Sequence, residues 1–210
     1  MGQYYTAVVI DENDRISKLW PHNFDNGAKL TEHSWIGNNF VNAVYSMINN
    51  RRRKVAWIGD YADDPYEPEE DFYAATMPLT EFMSIYNLAY DDGPKLGEKG
   101  FFKKELSCLD YDTKGMYLVN HDRTEYIDIA EYIQNSSVQD KNDDYPWCLS
   151  PLPLLTACGN DRGGGDFRNG QVGYENIGTW AFQWVEYTDR IPDGYTKADY
   201  CFMEKAVMSA

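Results

Sequence analysis

The chain of 210 residues carries 34 acidic against 19 basic side chains, a net charge of −15, and 15% of it is aromatic. Such a charge repels phosphate backbones and weighs against direct nucleic-acid binding, while the aromatic content is far above what disordered chains carry. No apolar run approaches the length that spans a bilayer, and Met1–Tyr5 lacks the basic and apolar regions of a secretory leader, so a cytoplasmic protein without membrane contact is expected.

Tyr4–Ile10 is β-branched and aromatic and stops at an Asp-Glu-Asn-Asp turn, which predicts a strand with Arg15–Trp20 as its return partner. Pro21–Gly27 reads as loop. Asn38 and Asn39 are candidate N-caps for a helix to about Ile48, because Phe40, Val41, Val44, Met47 and Ile48 share one face. Val55–Gly59 predicts a short buried strand that delivers Asp60 at its end. A second helix is expected over Pro78–Tyr90, followed by a glycine- and lysine-rich connection from Asp91 to Lys104.

Met116–Asn120 and Glu125–Asp128 predict a second hairpin, with a short helix over Ile129–Gln134 and a polar stretch from Ser136 to Tyr145. Pro151–Ala157 leads into a glycine loop. Asn176–Tyr187 is the longest strand candidate, and Tyr200–Met203 is expected to close the sheet. The pattern is α+β, mainly antiparallel sheet with two or three helices, in a single domain 1–210. A faint echo relates Tyr5–Ile16 to Tyr117–Ile127 and Trp57–Asp63 to Trp184–Asp189, read either as two related halves, 1–92 and 105–205, or as convergent hairpin chemistry.

Two motifs invite a functional reading. Arg162, Gly163, Gly164, Gly165 and Asp166 form a loop whose consecutive glycines carry an entropic cost. It is either an anion nest in which Arg162 pairs with a phosphate, or a tight corner where an aromatic side chain packs on bare backbone. It matches neither a Walker A loop nor a dinucleotide fingerprint. The second motif is Asp60, from which the acidic run Asp63, Asp64, Glu67, Glu69, Glu70 and Asp71 continues, directly after the basic run Arg51–Lys54.

Asp60, Asp63 and Asp64 with a histidine (His22, His33 or His121) and Asp166 compose the outline of a metal-dependent phosphoester hydrolase, with Arg162 stabilising the transferred charge. The spacing supports no recognised ligand set, each histidine reads first as a hydrogen-bonded loop residue, and no metal or other cofactor is assigned. The four cysteines form no C-x-x-C pair and read as reduced thiols, Cys158 alone inviting a suspicion of reactivity.

Met1–Tyr5, Pro21-His22, Gly27–Leu30, Trp57–Asp63, Leu118–His121, Leu152–Ala157, Arg162–Asp166 and Gly178–Trp180 together resemble a family of bacterial and phage proteins of uncharacterised activity. Members often carry an acidic residue where this chain has Phe182. The resemblance implies a phage or mobile-element setting and brings no mechanism. Within it, two functions are expected in competition. The first is a non-catalytic protein whose acidic, tyrosine-rich surface (Asp63, Asp64, Glu67, Glu69, Glu70, Asp71) occupies a basic site on a host or phage protein, as an inhibitor of a nucleic-acid-handling or defence protein. The second is a site for a nucleotide-like small molecule, or a hydrolase, built from Arg162–Asp166 and Asp60–Asp64. The first is favoured because no nucleophile, base and orienting group can be read together.

Overall fold

The structure is a computed structural model, which describes residues 3–62, 108, 112–139, 144–159 and 171–203. Strands β1 (Tyr5–Ile10) and β2 (Ile16–Leu19) form the first hairpin, in register from Ala7 opposite Leu19 to Ile10 opposite Ile16. Asp11 fixes its turn: the carboxylate accepts from the amides of Asn13 (2.8 Å) and Arg15 (3.0 Å) and from Arg15 Nε (2.7 Å). A 3₁₀ turn over Pro21–Phe24 and the single-turn helix α1 (Leu30–His33) lead to α2 (Asn39–Ile48). Asn38 caps α2, its side chain accepting from the amides of Phe40 and Val41, and the face predicted to be apolar is the buried one.

Strand β3 (Arg53–Gly59) returns antiparallel to β1. The second hairpin is β4 (Tyr117–Asn120) with β5 (Glu125–Asp128), and α3 (Ile129–Ser136) follows at once with Asp128 as its cap. In and just after the polar stretch that follows, Val138 and Trp147 exchange backbone hydrogen bonds of 2.8 and 2.9 Å. Helix α4 (Pro151–Leu155), strands β6 (Ala157–Cys158), β7 (Trp184–Thr188) and β8 (Thr196–Lys197) complete the described elements.

The fold is α+β. The sheet runs β2-β1-β3-β7-β4-β5-β8, antiparallel except that β8 pairs parallel with β5 and β6 pairs parallel with β3. One edge of β3 is shared: Arg53 and Lys54 pair with β7, while Trp57 and Ile58 pair with β6. The sheet's two faces separate by the period of two. Tyr5, Ala7, Val9, Val55 and Trp57 join α2 and the later helices in the main core, whereas Val8, Ala56 and Ile58 form a smaller cluster on the other side.

The first strand of each hairpin pairs with a later strand, β1 with β3 and β4 with β7, and the two groups meet where β3 abuts β7, although α4 and β6 intervene between α3 and β7. The sequence echo falls on corresponding strands, yet it is out of phase with their faces. Trp57 is fully buried in the main core, whereas Trp184 pairs with Lys54 and lies on the opposite face, Val185 pointing inward instead.

The predicted long strand over Asn176–Tyr187 is corrected: only Trp184–Thr188 is strand, and the residues before it are turns. Gly178 sits at φ +74°, and a Cβ there would collide with the carbonyl of Ala157. Its amide donates to Leu154 (2.9 Å) and that of Trp180 to Leu155 (2.7 Å), which plugs Trp180 into the core, fully buried. Burial of one large ring overrides the β-propensity of its neighbours. Tyr200–Met203 likewise forms no strand; Phe202 packs into the core and β8 supplies the sheet edge. The helix expected over Pro78–Tyr90 and the connection Asp91–Lys104 lie outside the described residues.

Candidate functional site

Of the residues singled out by sequence, Asp60 is described; Arg162, Gly163, Gly164, Gly165 and Asp166, and Asp63, Asp64, Glu67, Glu69, Glu70 and Asp71, lie outside the described residues. The stems of the two motifs are nonetheless neighbours. Ile58 pairs with Cys158, so the chain leaves β3 towards Asp60 beside the point where it leaves β6 towards the glycine loop. Gln3 lies between these exits, its side chain against Gly59 and Gly159 and its Oε1 accepting from the Tyr5 hydroxyl at 3.0 Å. A Cβ at either glycine would overlap that side chain as it is placed, so Gln3 approaches both backbones closely.

Asp60 is held by reciprocal bonds to Tyr4: the Asp60 amide donates to the Tyr4 carbonyl (2.9 Å), and the Tyr4 amide donates to Asp60 Oδ1 (3.0 Å). Oδ2 has no hydrogen-bond partner among the described residues, and the side chain is exposed. Beside it runs a mostly apolar groove of about 310 Å³ between the first hairpin, the Pro21 turn and the end of β3. Tyr4 and Asp60 lie at one end, Ile58 and Trp20 along it, and Val8 with Lys18 opposite it at the other.

Lys18 and Trp20 alternate out of β2 on one face, and the Lys18 ammonium sits 4.3 Å from the centroid of the Trp20 ring. Burial lowers the Lys18 pKa from its ordinary value. Tyr4 (56% exposed), Trp20 (38%) and Tyr61 (55%) are three of the five large apolar side chains that stand exposed among the described residues. Tyr4 and Trp20 line the groove, and Tyr61 follows Asp60 in the chain.

The three histidines do not converge. His33 is a core residue: Nδ1–H donates to the Gly27 carbonyl (2.9 Å), and Nε2 accepts from the Trp57 indole (3.0 Å). Burial lowers its pKa to about 4, so the ring is neutral. His22 stands exposed in the 3₁₀ turn, 5.8 Å from the Trp20 ring at the groove wall.

His121 belongs to a second polar cluster that sequence reading missed. Arg52 donates to its Nδ1 at 2.7 Å, and the Tyr195 hydroxyl lies 3.0 Å from the same nitrogen. A guanidinium has no acceptor, so Nδ1 must be bare and Nε2–H donates to Glu186 (3.0 Å). Burial and the adjacent Arg52 charge hold the imidazole below its ordinary pKa, against Glu186 and Asp122. The cluster ties four segments together around a neutral imidazole whose two nitrogens are both engaged, so neither is open to a substrate. Only the Arg51–Lys54 run signalled it in sequence; its partners come from remote strands.

Among the described residues, no three His, Cys, Asp or Glu side chains are placed to hold a metal ion. None of the four cysteines is in a disulfide; Cys108 and Cys148 are buried, Cys158 is half-buried and Cys201 exposed. No described helix is long and apolar enough to cross a membrane. No protein-family profile matches the chain, and neither a curated protein nor a solved structure matches it.

Proposed function

We propose that this protein acts by binding and not by catalysis: its acidic, tyrosine-rich surface occupies a basic site on a host or phage protein, as an inhibitor of a nucleic-acid-handling or defence protein. The observation that carries this reading is the clustering of exposed aromatics with an exposed carboxylate. Tyr4, Trp20, Tyr61 and Asp60 stand at one end of the sheet, and the chain continues from there into Asp63–Asp71. Tyrosine and tryptophan supply large rigid contact area, and net charge steers an oppositely charged partner. No described cluster combines a nucleophile, a base and an orienting group beside open space, which leaves the hydrolase reading without support among the described residues.

The test is cross-linking of the intact protein in cells that produce it, followed by purification of the cross-linked partner. Cross-links should fall on residues 60–71, the partner should carry a basic surface, and its nucleic-acid affinity should fall as the protein is added. Triple reversal of Glu67, Glu69 and Glu70 to Lys should abolish capture. A partner whose capture survives that reversal would sink the acidic-surface reading.

A further inference from the structure

The groove beside Asp60 has the chemistry of a cation receptor. Its walls are aromatic and apolar, its volume is about 310 Å³, and an exposed carboxylate stands at its rim. That carboxylate is pre-oriented: the Tyr4 amide fixes Oδ1 at 3.0 Å, so the side chain is held by one oxygen with the other unengaged among the described residues. An acceptor held in place loses little freedom when a donor arrives, which favours affinity through preorganisation.

The groove already stabilises one cation on an aromatic face. Lys18 lies 4.3 Å over Trp20, within the range at which a ring quadrupole attracts positive charge. For a second cation, the Asp60 end offers a carboxylate and the exposed ring of Tyr4. Lys18 is opposite Val8 and Gly59 is opposite Tyr5, three residues apart on β1, or about 10 Å at the rise of a strand. The backbones that carry the two charges are thus offset along the groove, and the net charge of −15 favours a cationic guest overall.

We propose that the Asp60 end of this groove is a socket for one guanidinium group, the side chain of an arginine on the basic partner. This rests on the binding function proposed above and names the chemistry at its centre. Arginine is chosen over lysine because its planar group donates to a carboxylate edge while stacking on an aromatic ring, and because it sheds water more readily than an ammonium. A guanidinium donates to Oδ2 of Asp60 and lies against the Tyr4 ring, and its methylene stem follows the apolar wall formed by Pro21 and Ile58.

The experiment uses the full chain and a nine-residue peptide carrying one arginine among glycine and serine, with the same peptide bearing citrulline as the uncharged isostere. Binding is followed through the backbone amide resonances of Tyr4, Asp60 and Gly59 and the Trp20 indole. The arginine peptide should shift these signals saturably, and citrulline should weaken binding roughly tenfold, as expected for loss of a charge-assisted contact. Asp60→Asn keeps the acceptor for the Tyr4 amide and should weaken the arginine peptide by a similar factor. Tyr4→Ala should weaken it severalfold, with melting temperatures confirming that both variants fold.

Equal binding of the two peptides, shifts confined to other parts of the chain, or wild-type affinity in Asp60→Asn would each overturn the socket. The Glu67, Glu69 and Glu70 reversal separates the two proposals. Peptide shifts at Tyr4 and Asp60 that persist in that variant, while no basic protein is captured by the wild type, leave the socket standing and remove the inhibitor function. Capture abolished by the reversal but untouched by Asp60→Asn leaves the acidic surface and removes the socket.

Discussion

His33 shows how much one side chain can decide. A fully buried imidazole costs desolvation unless both nitrogens are engaged, and here the Gly27 carbonyl and the Trp57 indole engage them. His33→Phe removes both partners at once and should cost roughly 2–4 kcal/mol, because a buried carbonyl and a buried indole N–H are left unsatisfied. Urea denaturation at pH 7.5 reads the difference. The same burial makes stability depend on pH. With the folded pKa lowered from 6.5 to about 4, the unfolded chain binds a proton that the folded chain refuses. Stability is therefore full above pH 6.5 and falls as pH drops towards 4, by about 3 kcal/mol in total for this residue. His121 acts in the same sense, since its folded pKa is also lowered. Unfolding free energies measured across pH 4–8 should show the decline, and His33→Phe should flatten most of it.

At the scale of elements, local chemistry and tertiary demand can be told apart. Helix α2 is locally determined: Asn38 satisfies two amides of its first turn, and also reaches Asn26 through its Nδ2. Asn38→Ala should destabilise by about 1–2 kcal/mol, the usual cost of losing an N-cap, as read by thermal or urea unfolding. The segment before β7 is the opposite case. Gly178 lies at φ +74° with Ala157 against the place where a Cβ would stand, so Gly178→Ala should cost roughly 2 kcal/mol or more from left-handed strain and crowding. Because that turn seats Trp180, the variant should also shift tryptophan emission to the red. Had Asn176–Tyr187 been one continuous strand, an alanine there would be neutral or stabilising.

Across the whole molecule, the net charge of −15 is the property that bears on the proposed binding. If the acidic surface steers a basic partner, the association rate should fall steeply between 50 and 300 mM salt while the dissociation rate changes little. Stopped-flow or surface-binding kinetics on the cross-linked partner would show it. A salt-independent association rate would argue for an apolar contact instead.

The two hairpins, α2 and α3, and the chain's placement of Asp60 at a strand end were readable from residue pattern, because turn residues, caps and periodicity act within a dozen positions. The net charge and the aromatic excess were also fixed by composition alone. What pattern misjudged, it misjudged for one reason. Tyrosine, tryptophan and β-branched residues favour strands and cores alike, so Trp180 looked like strand and is core, while Trp57 and Trp184 looked equivalent and face opposite sides. The groove beside Asp60 and the Arg52–His121–Glu186–Tyr195 cluster were invisible for a related cause. Each is assembled from segments far apart in the chain, and only the pairing of β1 with β3 and of β4 with β7 brings them within a few ångströms.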